Sequence, residues 1–121
     1  MSNLRILTVL IFITVGLISC EYEFIEVAPP DPTVEVKFST DIVPIFSENN
    51  CINCHKTGGT SPDLTAANAY NSINPDLVNL SNPELSTIYV TPGPSGNHSV
   101  KYTPGQASLV LEWIKQGAKN N

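Results

Sequence analysis

The sequence predicts a small, single, all-α domain. Four patches place apolar residues at helical spacing, none longer than about fourteen residues, and no strand-like alternation competes with them. A chain of 121 residues is long enough for one core and too short for two. With 41% apolar and only 14% charged residues, it is neither a disordered acidic tail nor a coiled coil. Ten Pro and seven Gly imply many turns between short helices. Eleven acidic residues against six basic ones leave a formal charge of −5, the wrong sign for following a phosphate backbone. Nucleic acid is therefore not an expected partner.

The first element is an apolar run at residues 6–18, interrupted only by Thr8, Thr14 and Gly16 and preceded by Arg5. As a helix it would rise roughly 20 Å, short of the ~30 Å hydrocarbon core, so it fits the h-region of an export signal better than a permanent span. It ends in Leu17-Ile18-Ser19-Cys20, which resembles the lipobox of bacterial lipoproteins. That resemblance implies a signal peptide at residues 1–19 and a diacylglycerol on Cys20; the alternative is a chance Cys closing an ordinary secretory signal. After such cleavage, five bases against eleven acids give −6. Residues 20–36 are acidic and broken by Pro29, Pro30 and Pro32, the pattern of an extended tether reaching up to about 50 Å. An edge strand over residues 34–38, packed on the domain, is the competing possibility.

The domain proper is expected from Lys37 to Asn121. Thr40 or Asp41 can cap a first helix in which Ile42, Ile45 and Phe46 share a face, with Pro44 tolerated in the first turn and an end before Cys51. Thr65 can cap a second over residues 66–73. Asn82-Pro83-Glu84 opens a third over residues 83–90, with Pro at the favoured first position. The last helix has the strongest local signal. Thr103 and Gln106 form a capping box around Pro104, Leu109, Val110, Trp113 and Ile114 make an apolar stripe, and Gly117 stands where the helix should stop. Trp113 is expected in the core. So short a body has little core of its own, and something else should contribute to it.

Cys51-Ile52-Asn53-Cys54-His55 matches the C-x-x-C-H signature of covalent c-type haem attachment. Two thiols add across the haem vinyl groups, and the adjacent imidazole reaches the iron. A zinc site would need a second ligand pair, whereas the chain adds only His98. A thioredoxin-type dithiol needs a βαβ setting that is absent here. A Cys51–Cys54 disulfide would close a tiny loop, stabilise little and leave His55 unexplained.

Residues 37–121 resemble the monohaem cytochrome c domains of bacterial lipoproteins. The matching strings are FSTDIVPIF at 38–46, the C-x-x-C-H at 51–55, SPDL at 61–64 and WIKQGA at 113–118. The resemblance implies a helical domain wrapped around one covalently attached haem c. First and last helices would cross, setting Ile42, Ile45 and Phe46 against Val110, Trp113 and Gly117, and the Pro62 carbonyl would accept the proximal imidazole N–H of His55. Many such proteins use Met as the distal ligand, but the only Met here is Met1. His98, in the loop over residues 90–103, is the first candidate to replace it, ahead of a weaker donor such as Lys101 or Tyr102, or an open site. Tyr70, Tyr89 and Tyr102 are expected in the core. The expected function is one-electron transfer by a lipid-anchored protein of the cell envelope, on the outer membrane facing the periplasm or at the cell surface. Its redox partner proteins would offer a basic docking patch to the acidic chain. A haem-based sensor or peroxidase-like enzyme with an open sixth position, or a non-haem accessory lipoprotein, are the alternatives.

Overall fold

A computed structural model describes residues 28–121. The expected signal peptide, Cys20 and the first part of the tether lie outside the described residues. Within them the chain forms short helices joined by turns, with no strand, and no helix among them is long and apolar enough to cross a membrane.

The first helix, α1, starts as a wide π-helical turn, Phe38–Ile42, and continues as a regular helix, Val43–Glu48. It begins before the expected caps, so Thr40 and Asp41 lie inside it. Pro44 has no N–H to continue the ladder, and the turn ahead of it widens: the Val43 N–H reaches the Phe38 carbonyl. Capping comes from elsewhere. The Asp41 carboxylate accepts the Lys37 N–H at 2.7 Å. Asn121 accepts the N–H groups of Phe38 through its side-chain oxygen (2.9 Å) and of Ser39 through its backbone (3.0 Å). The helix ends before Cys51, where Asn50 takes a left-handed conformation (φ 57°), one that Asn tolerates better than most residues.

A 3₁₀ turn, Cys51–Asn53, follows. The second helix, α2, is only Ala69–Ile73, shorter than residues 66–73. The Thr65 hydroxyl is not its cap but a donor to Asp63 Oδ1 (2.6 Å), while the Thr65 carbonyl accepts the N–H groups of Asn68 and Ala69. The single helix expected over residues 83–90 is two pieces, a 3₁₀ turn, Pro83–Leu85, and α3, Thr87–Val90. Ser86 between them is extended (ψ 128°) and buried. Its hydroxyl accepts the Asn79 N–H at 2.9 Å, and this remote partner is what breaks the run.

The last helix, α4, is Pro104–Lys115 with the expected capping box. At its end Gly117 has φ +97°, and the N–H groups of Gly117 and Ala118 return to the carbonyls of Ile114 and Trp113, both at 2.9 Å. This pair of bonds is the Schellman arrangement, which needs a residue free to take positive φ. The opening turn of α1 packs on α4. Phe38 lies 5.1 Å from Trp113 between ring centres and 5.4 Å from Tyr70, edge to face. Ile42, Ile45, Phe46, Val110 and Ile114 complete this core. The Trp113 indole donates to the Lys119 carbonyl at 2.9 Å and the Tyr70 hydroxyl to that of Ala118 at 3.1 Å, so both polar tips are satisfied. Gln116 holds the chain entering α1, accepting the Val36 N–H (2.8 Å) and donating to the Val34 carbonyl (3.0 Å). Val36 is buried, so the last residues of the expected tether lie against the body, without forming a strand.

Candidate cofactor cleft

The chain from Cys51 to Leu64 folds into a compact cradle for one imidazole. The His55 N–H reaches the Cys51 carbonyl at 2.9 Å, which stacks His55 one turn beyond the first cysteine. The loop then doubles back, with Thr60 N–H on the Cys54 carbonyl and Leu64 N–H on the His55 carbonyl, both at 2.9 Å. That return brings two backbone oxygens onto the ring: His55 Nδ1 lies 3.1 Å from Pro62 O and 3.2 Å from Thr60 O. Two acceptors around one nitrogen fix the proton on Nδ1 and leave Nε2 as the free lone pair.

His98 is held by a different loop, and its Nδ1 meets a donor as well as an acceptor. Its N–H binds the Thr91 carbonyl at 3.2 Å, and its Nδ1 lies 3.0 Å from Val100 O and 3.2 Å from Val100 N. The local backbone again occupies Nδ1. The two imidazoles meet with ring centres 5.9 Å apart and planes inclined by 39°, though 43 residues separate them in sequence.

Both rings line one cleft of about 390 Å³, within the usual range of small-molecule and cofactor sites. Leu64, Leu77, Ile88 and Pro92 give it apolar walls. Cys51 and Pro62 also line it. Cys54 is exposed and does not, and both thiols are free. Partial burial pushes the Cys51 thiol above its ordinary pKa. Tyr102, buried on the same cleft, has its phenol pushed well above the usual range by burial first and by the nearby Cys51 second. Of the residues singled out in sequence, the fold brings Cys51, His55, Pro62 and His98 together. Sequence reasoning places Tyr102 in the core and names it as a weaker donor beside Lys101, and does not find Leu77 or Ile88 as cleft walls. The position of Tyr102, four residues beyond His98 on the same loop, was the one available hint.

Among the described residues, no three His, Cys, Asp or Glu side chains are gathered so as to hold a metal ion.

Asp63 knots the loop that bears Pro62. It accepts the hydroxyls of Thr57 and Thr65, both at 2.6 Å, and the Asn68 amide at 2.9 Å. These bonds, Thr57 first, hold its carboxyl well below the ordinary range. A carboxylate depressed in the folded state stabilises the fold above its unfolded pKa of about 3.9 and loses that contribution as pH falls toward the folded value. Asp63→Asn should therefore melt lower than wild type at pH 7, with the gap closing below about pH 4. Thermal melts across pH 2–7 check this; curves that stay parallel throughout would refute it.

No protein-family model, no curated protein and no solved structure matches the chain.

Proposed function

We propose that this chain is an exported, lipid-anchored c-type cytochrome that passes single electrons through one covalently bound haem. The observation that supports the reading best is the pair of imidazoles that line one apolar cleft with ring centres 5.9 Å apart. Metal–imidazole bonds of about 2 Å, with about 1 Å more to each ring centre, put two imidazoles on one metal about 6 Å apart. Two donors alone are too few for a bare metal ion, but they suit a macrocycle that brings its own four nitrogens.

In this reading Cys51 and Cys54 would hold the haem through thioethers, His55 and His98 would bind its iron, and the group would fill the cleft that the small core leaves. The Pro62 and Thr60 carbonyls hold the His55 ring through Nδ1, leaving Nε2 available to the iron. The bound haem supplies a reversible one-electron couple at its iron. Leu64, Leu77, Ile88 and Pro92, which line the cleft, would keep water from the bound group and so limit reorganisation when charge changes. A second imidazole on the same cleft favours electron transfer over ligand sensing or peroxide chemistry, because as a ligand it would take the position a substrate would need. The acidic chain suits a redox partner with a basic patch, bound weakly and in a salt-sensitive way. A lipid at Cys20 would hold the protein in the cell envelope, on the outer membrane facing the periplasm.

Expression of the full chain in cells competent for c-type maturation tests the reading. The product should be coloured, low-spin in both oxidation states, and should keep its colour through denaturing electrophoresis. The Cys51→Ser/Cys54→Ser double variant should lose that covalent colour. A colourless wild-type product would overturn the assignment.

A further inference from the structure

Gly93 and Gly96 seat the His98 loop directly on the carbonyl end of α3. The Gly96 N–H closes onto the Gly93 carbonyl at 2.9 Å, and the Tyr102 N–H onto the Pro92 carbonyl at 2.7 Å, while the Lys101 ammonium caps the Gly96 carbonyl. Inside this fold the backbone of Gly96 lies so close to α3 that a Cβ there would strike the carbonyl oxygens of Thr91 and Val90. A Cβ on Gly93 would come to 2.7 Å from the Tyr89 carbonyl oxygen. These obstacles are backbone atoms, which cannot rotate away as a side-chain tip could.

One atom links this contact to the cleft. The Thr91 carbonyl oxygen, which a side chain at 96 would hit, is the same oxygen that accepts the His98 N–H. Only Asn97 separates Gly96 from His98, and α3 and the residue after it supply cleft wall through Thr87, Ile88 and Thr91. The geometry points to Gly96, supported by Gly93, as a positioning residue: its missing side chain sets the height of His98 above the cleft. A methyl group there lifts the loop from α3, breaks the Thr91–His98 bond and withdraws the imidazole, leaving the attachment segment at residues 51–55 untouched. This inference rests on the proposed ligation of haem by His98. It adds that the ligand's reach is decided by close backbone contact at a neighbour that never touches the cofactor.

The test compares wild type, His98→Ala, Gly96→Ala and Ser95→Ala as matured holoproteins, by visible spectra in both oxidation states and by carbon monoxide binding to the reduced form. Ser95 is exposed and its variant should match wild type. Gly96→Ala should keep its covalent haem, lose the low-spin spectrum as His98→Ala does, and bind carbon monoxide. Added imidazole should restore its low-spin spectrum, and its helical circular dichroism and melting curve should stay close to wild type, which a merely unfolded variant would not show. If His98→Ala turns high-spin and Gly96→Ala stays low-spin, the positioning role is wrong and the ligation stands. If His98→Ala leaves the wild-type spectrum unchanged, the ligation itself fails, and this inference with it. Should Gly96→Ala yield no haem-bearing protein, Gly93→Ala decides by the same spectra: a high-spin product with wild-type helical circular dichroism supports the proposal and a low-spin one overturns it.

Discussion

Trp113→Ala should destabilise the body by about 3–5 kcal/mol, the usual cost of truncating a buried aromatic. Trp113 is 1% exposed at the centre of the contact between α1 and α4, and its ring faces Phe38 at 5.1 Å. Alanine would leave Phe38 beside a void, and rigid helices on both sides limit how far it can collapse. The indole bond to the Lys119 carbonyl would go as well, together with its tie on the turn that ends α4. For a body of this size the loss corresponds to a melting temperature lower by roughly 12 °C or more, a large share of a total stability of about 5–15 kcal/mol. Trp113→Phe separates the two contributions, since it keeps most of the ring volume and gives up the hydrogen bond, worth about 1 kcal/mol. Thermal melts of both variants check the ranking. A drop of under about 1 kcal/mol for the alanine variant would mean that the helices repack around the gap.

The parts of this fold that were legible in sequence are those whose causes are local. Thr103, Pro104, Gln106 and Gly117 specify both ends of α4 from within one stretch of chain, and the helix runs between them as expected. The start of α1 was not legible, because the groups satisfying Phe38 and Ser39 belong to Asn121, more than eighty residues away. Ser86 is a similar case: nothing beside it says that its hydroxyl will take the Asn79 N–H and split the expected helix. The candidate site divides in the same way. The C-x-x-C-H string announces itself through spacing, and the absence of Met beyond Met1 directs attention to His98. The apolar walls from Leu77 and Ile88 follow only from how α3 and the loops are folded over one another, whereas the burial of Tyr102 is as the sequence predicts. The knot around Asp63 was likewise unseen, since Thr65 looked like a helix cap until its hydroxyl turned toward Asp63.

His98→Ala should convert the matured protein from a low-spin to a high-spin form without loss of covalent colour. The reason lies in what else the cleft offers. Tyr102 is the phenol on this cleft, and burial holds it protonated well past neutral pH, which makes it a poor ligand. The Lys101 ammonium is engaged with the Gly96 carbonyl and carries no lone pair in that form. Cys54 is exposed and outside the cleft. With the imidazole gone, no side chain among the described cleft residues is placed to succeed it, so the sixth position should pass to water or stay open and the reduced protein should bind carbon monoxide. The fold should be largely kept, because His98 sits in a loop whose bonds to Thr91, Pro92 and Val90 run through backbone atoms that alanine preserves. Spectra and melting curves recorded together distinguish loss of a ligand from loss of structure. A wild type already high-spin and unchanged by the substitution would show His98 idle and move the function toward ligand binding or peroxide chemistry, whereas an unchanged low-spin spectrum would assign the ligand to another residue.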